Sequence, residues 1–131
     1  MSRRILVVDD ESHILHVLSL KLRNSGFIVD TAVDGEDALH QISVVQPDLV
    51  ITDLQMPYLN GLEVCRRLAA EDSTADIPVI ILTARGYALG SDAAGLTNVR
   101  CVVAKPFSPR TILERVHAVL GTSEVIQERA A

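Results

Sequence analysis

Asp48-Leu49-Val50-Ile51-Thr52-Asp53, running on into Leu54-Gln55-Met56-Pro57, is the stretch from which the rest of the chain can be read. Leu49 to Thr52 is short, apolar and rich in β-branched residues, with Pro47 just before it. Such a run predicts a strand buried on both faces, as in a parallel sheet. Asp53 stands where that strand should emerge. Open α/β sheets bind ligands outside the carboxyl ends of their strands, which makes a carboxylate there a functional candidate. Taken alone, Asp53 is better explained as a turn or helix-cap residue. The remainder of the chain reverses that reading.

Working outward, four more apolar runs have the same character. Ile5 to Val8 is a first strand, ending at Asp9-Asp10-Glu11. Ser12 then predicts an N-cap. At about 100° per residue, Ile14, Val17, Leu18, Lys21 and Leu22 share one helical face, with Lys21 extending its amine outward. Asn24-Ser25-Gly26 stops that helix, and Phe27-Ile28-Val29 predicts a short edge strand. Asp34-Gly35 turns the chain into a helix over 35–45, with Ala38, Leu39 and Ile42 inward. After the central strand, Asn60-Gly61 predicts a turn, and Leu62, Val64, Cys65 and Leu68 recur at helical spacing. Val79 to Leu82 is the fourth strand, terminated by Thr83-Ala84. Gly86, Gly90 and Gly95 weaken any helix over 85–98 by about 1 kcal/mol each. Val99 to Ala104 is the fifth strand, ended by Lys105-Pro106. Ser108-Pro109 opens a last helix carrying Ile112, Leu113, Val116 and Leu120, closed by Gly121. Strand and helix alternate five times, which predicts a doubly wound α/β fold with a parallel five-stranded sheet.

The totals narrow the function. The 131 residues suffice for one domain with a core, expected over residues 1–121, with 122–131 a polar tail or the start of a linker. No apolar run approaches the ~18 residues of a membrane span. The N-terminal apolar run is too short for a signal peptide, so a cytoplasmic location is expected. Cys65 and Cys101 lack metal-site spacing and read as buried free thiols. The net charge is −5 and no basic run exceeds a pair, which argues against direct nucleic-acid binding.

In a parallel sheet every carboxyl end opens on one edge. That edge collects Asp9 and Asp10, Asp53, Thr83 and Lys105. Two bare carboxylates about 4 Å apart repel by about 4 kcal/mol at an effective dielectric near 20. A divalent cation relieves this, and hard oxygen donors with room for water favour Mg²⁺. Asp53 can serve as a metal ligand and also as a nucleophile, since carboxylates form acyl phosphates. The charge of a phosphoryl group on Asp53 could be balanced by Mg²⁺, the Lys105 ammonium, and the Thr83 hydroxyl or backbone N–H groups.

This set resembles the receiver domain of bacterial response regulators, the chemotaxis-regulator-like fold. The motifs that carry the resemblance are Asp9-Asp10, Asp53 with Met56-Pro57 and Gly61, Thr83-Ala84, and Lys105-Pro106-Phe107. It spans Arg4 to about Leu120. It implies a flavodoxin-like sheet of order 2-1-3-4-5. It also implies Asp53 as phosphoacceptor, Asp10 as a direct Mg²⁺ ligand, Asp9 acting through water, and the Gln55 carbonyl as a further ligand. Lys105 would grip the phosphoryl group, preceding a cis bond to Pro106. Thr83, with Ala84 and the position of Val102, would be the switch. The donor would be a histidine kinase or histidine phosphotransfer protein, and the output a downstream protein target. Such a domain is not an enzyme beyond its self-catalysed phosphorylation and dephosphorylation.

Three departures concern readout. Val102 stands where many members have Tyr or Phe, the 85–98 segment carries three glycines, and Gly95-Leu96-Thr97-Asn98-Val99 replaces a common Gly-Ala-Asp-Asp-Tyr. Other readings fit less well. A haloacid-dehalogenase-like phosphatase needs an Asp two positions past its nucleophile, where this chain has Gln55. A flavin-phosphate site would be repelled by Asp9-Asp10-Glu11. A phosphorylation-independent pseudo-receiver is disfavoured by the intact set, while an N-terminal fragment of a larger regulator remains an alternative. His13, His16 and His40 read as solvated helix residues, and Leu20 as exposed, available to a kinase or phosphotransfer partner. Gln55 and Arg85 occupy positions that tune phosphoryl lifetime in the family.

Overall fold

In a computed structural model covering residues 3–84 and 96–122, five parallel strands form one sheet in the order β2-β1-β3-β4-β5. The strands are β1 Arg4–Val8, β2 Ile28–Ala32, β3 Leu49–Asp53, β4 Val79–Ala84 and β5 Val99–Lys105. The helices among the described residues are α1 Ser12–Asn24, α2 Gly35–Val45, α3 Gly61–Ala69 and α4 Pro109–Leu120. Most of the 85–98 segment lies outside the described residues, as does the tail beyond Thr122.

Side chains alternate across each strand, so the central strands feed two cores. Ile5 and Val7 of β1 pack with Leu18 and Leu22 of α1 and Ile112 and Val116 of α4. Leu6 and Val8 pack on the other face with Ala38 and Ile42 of α2 and Leu62 and Leu68 of α3. The edge strand β2 is guarded: the Arg23 guanidinium donates to the Val29 carbonyl at 2.9 Å. A carbonyl occupied in this way is a poorer template for another chain.

Several boundaries differ from the sequence reading. Ser12 is the first residue of α1, and Glu11 takes the cap position with no side-chain cap bond. The chain turns one residue early because the Glu11 N–H is tied to Asp9 Oδ1 at 2.9 Å. β2 begins at Ile28 and continues through Thr31 and Ala32, which pair with Val7 and Val8, while Phe27 is drawn into the core. Asn60 is the N-cap of α3 and accepts from the Glu63 N–H at 2.9 Å, with Gly61 already helical. β3, β4 and β5 run on to Asp53, Ala84 and Lys105, because the sheet ladder continues past the apolar runs. Cys101 is half-buried; Cys65 is buried. The Ser108 cap, Pro109 at the helix start and Gly121 at its left-handed end stand as the sequence predicts.

Candidate functional site

The sheet register builds the site. Val8 is level with Thr52, so Asp9 follows one strand and Asp53 ends the next at the same height. Asp53 is level with Leu82, and Leu82 with Val103. Lys105 therefore stands two residues further along β5, and its long side chain reaches back across the edge. Its Nζ lies 3.3 Å from Asp9 Oδ2 and 3.4 Å from Asp53 Oδ1. The Lys105-Pro106 peptide bond is cis. Asp10 is exposed beside this pair, and one carboxylate oxygen from each of Asp9, Asp10 and Asp53 lies within 4.8 Å of the others.

The charges are unevenly matched. Burial pushes the Asp9 carboxyl up to about 6, and the neighbouring Asp53 adds to that push against the Glu11 N–H and Lys105. Burial also raises Asp53, which Lys105 offsets only in part. For Lys105, burial acts to lower the amine, but Asp53 and Asp9 outweigh it and raise it. These carboxylates hold protons more tightly than usual because burial penalises their charge and one ammonium offsets that only in part. A hard divalent cation with oxygen preference would neutralise them, so the donor set fits Mg²⁺.

The other residues surround this core. Gln55 is exposed on the loop after Asp53, a loop held by Leu54 N–H to Leu82 O at 2.7 Å and Gly61 N–H to Leu54 O at 2.8 Å. Thr83 is buried at the end of β4, its hydroxyl 3.4 Å from the Ala84 carbonyl oxygen. Val102 is on the edge strand and 44% exposed. His13, His16 and His40 are exposed, as is Leu20.

Two residues escaped the sequence reading. Glu11 Oε1 lies 3.5 Å from Lys105 Nζ, giving the amine a third carboxylate. Its place in the acidic run beside Asp9 and Asp10 was the available signal. His117 is buried against Phe27, with ring centroids 5.7 Å apart, and its Nδ1 meets Thr122 Oγ1 at 2.6 Å. Its position beside Val116 on the apolar side of α4 was the signal there.

The family description "Response regulator receiver domain" matches residues 5–117. The chain belongs to the response regulator receiver family. It is a signalling domain of two-component systems. The receiver is 39% identical to the alkaline phosphatase synthesis transcriptional regulatory protein PhoP of Bacillus subtilis, covering 95% of this chain and 51% of that protein. It is also 39% identical to the DNA-binding response regulator MtrA of Mycolicibacterium smegmatis, over 95% of this chain and 53% of that one. The receiver thus spans about half the length of these curated relatives. The structure resembles the chemotaxis response regulator CheY4 of Vibrio cholerae with a TM-score of 0.84 and 27% identity, covering 91% of this chain and 99% of that one. Receiver domains bind Mg²⁺ at an acidic pocket, and this structure gathers Asp9, Asp10 and Asp53 into an acidic cluster.

Proposed function

We propose that this receiver accepts a phosphoryl group on Asp53 from a phosphohistidine of a histidine kinase or histidine phosphotransfer protein. One observation carries the reading: Lys105 Nζ sits within 3.4 Å of both Asp53 and Asp9 at the edge where Asp10 also opens. An Asp53 oxygen attacks phosphorus, the P–N bond breaks, and its electron pair returns to the imidazole. The Lys105 ammonium neutralises charge on the transferred group, and the Thr83 hydroxyl turns toward it as the switch. Asp10 directly, Asp9 through water, Asp53 and the Gln55 carbonyl would hold Mg²⁺, which when bound supplies further charge compensation at the phosphoryl oxygens. The protein acts on itself in this chemistry, without a separate substrate to turn over.

The donor has a surface to meet. A cleft of about 670 Å³ adjoins Lys105, lined by His13, Ile14 and Val17 of α1 and by Pro106 and Phe107. Its apolar floor beside the site suits a helix presenting a histidine. The last helix ends at Gly121 in left-handed backbone, which supports residues 1–121 as the receiver unit and 122–131 as a tail or the start of a linker to an output segment. The net charge of −5 supports a protein target rather than nucleic acid for these 131 residues; the DNA binding in a relative's name belongs to a protein about twice as long. No helix among the described residues is long and apolar enough to cross a membrane.

The test is chemical. With Mg²⁺ and acetyl phosphate the protein should gain one hydroxylamine-labile phosphoryl group, lost in Asp53→Asn and blocked by chelation. Undiminished labelling of Asp53→Asn would reject the assignment.

A further inference from the structure

Glu11 occupies the N-cap of α1, yet its side chain makes no cap hydrogen bond, and the first turn of α1 holds no acidic residue. The cap residue's own side chain therefore satisfies none of the amides at that end. The Glu11 carboxylate instead faces Lys105, 3.5 Å away. Two kinds of donor therefore compete for it: the ammonium and the backbone N–H groups of His13 and Ile14.

Lys105 decides between them. Its other partners are the buried Asp9 and Asp53, at 3.3 and 3.4 Å. The Glu11 side chain is 63% exposed, so water screens its pair the most. A phosphoryl group on Asp53 would replace its single carboxylate charge with about two, beside an ammonium already in contact with that residue. Glu11 is the partner that would be displaced.

We propose that Glu11 is a positioning residue with two stations: it steadies Lys105 before transfer and, once a phosphoryl group on Asp53 takes the ammonium, it turns to the N-terminal amides of α1. This deepens the phosphoacceptor reading and rests on it. The consequence falls on the donor's docking cleft, which His13 and Ile14 line. A capped first turn is more rigid, so the surface that meets the donor changes when the phosphoryl group arrives. Glu11 is thereby a link between the chemistry and release of the donor.

Amide exchange of His13 and Ile14, followed by NMR in the full chain, tests this. Adding Mg²⁺ and beryllofluoride should slow both amides about two- to fivefold, the range expected for a modest cap. Glu11→Ala should abolish the slowing. Glu11→Asp is too short to reach Lys105 but is a favoured cap, so its amides should be slow in both states. No slowing in the parent protein, or the same slowing in Glu11→Ala, overturns the role of Glu11. The Thr83 amide resonance reports loading independently: if beryllofluoride fails to shift it, the phosphoacceptor reading itself falls.

Discussion

Gly61 lies so close to Asp53 that a side chain has no room: a Cβ there would stand 2.6 Å from the Asp53 carbonyl oxygen and 3.1 Å from Leu54 Cα. Both obstacles are backbone and cannot rotate aside. The first turn of α3 thus presses on the end of β3, and the Gly61 N–H also holds the Leu54 carbonyl at 2.8 Å. Gly61→Ala should lower stability by about 1–3 kcal/mol, the usual penalty of overpacking, even though alanine favours helix. It should also weaken Mg²⁺ binding by shifting Asp53. Urea unfolding and a Mg²⁺ titration followed by NMR check both effects. A variant as stable as the parent and titrating identically would show that the loop yields more easily than its geometry indicates.

Asp9 sets a pH dependence whose sign follows from its burial. Its carboxyl is pushed up to about 6 in the folded protein, from 3.8. The folded state therefore binds a proton that the unfolded state has already released. The stability from that proton is fully present below about pH 4 and is lost as pH rises through about 6. Without Mg²⁺, the parent protein should lose stability relative to Asp9→Asn across this interval. Mg²⁺ competes with the same proton, so its binding should tighten as pH climbs and level off above about 7. Thermal unfolding of both proteins in chelator between pH 4 and 8 tests the first expectation, and Mg²⁺ titrations across that range test the second. Parallel stability curves would mean that the buried charge is compensated by something other than a proton.

The fold was legible because its strands are apolar on both faces and short, a pattern that amphipathic helices do not imitate. Leu49 to Thr52 and Ile5 to Val8 read directly as buried parallel strands, and the helical faces led by Leu18, Ile42, Leu68 and Val116 are the buried ones. Alternation supplied the class, while the strand order came through family resemblance. Asp9, Asp10, Asp53 and Lys105 could be brought together on paper because parallel strands share one carboxyl edge. Boundaries failed where a local tether outweighed residue preference. Ser12 is a better cap than Glu11 by type, but the Asp9 carboxylate holds the Glu11 N–H and starts the helix there. The third partner of Lys105 was hidden for a related reason: the direction of a side chain after a turn depends on backbone angles that spacing does not encode. His117 was missed because a histidine gives no sign of burial until its neighbours, Phe27 and Thr122, are known.

Thr83 offers a way to separate loading from response. It is 2% exposed, and its hydroxyl makes only a 3.4 Å contact with the Ala84 carbonyl oxygen, at the long limit of a hydrogen bond. Replacing that hydroxyl by a methyl group of similar shape loses little, so Thr83→Val should stay within about 1 kcal/mol of the parent. Asp9, Asp10, Asp53 and Lys105 are untouched, and Mg²⁺ and beryllofluoride should still bind. The response is what should fail. Val102 has no ring to swing and is already 44% exposed, so a rotamer change there would move few atoms. The expected route is the segment that follows Thr83 in sequence, whose Gly86, Gly90 and Gly95 are residues that lower the cost of backbone rearrangement. Hydrogen exchange over residues 85–98 should slow when the parent protein binds beryllofluoride, and should not change in Thr83→Val, with little effect at Val102 in either. Equal exchange over 85–98 in both states, with changes confined to α1, would remove Thr83 from the pathway and leave Glu11 to carry the signal to the surface around His16 and Leu20.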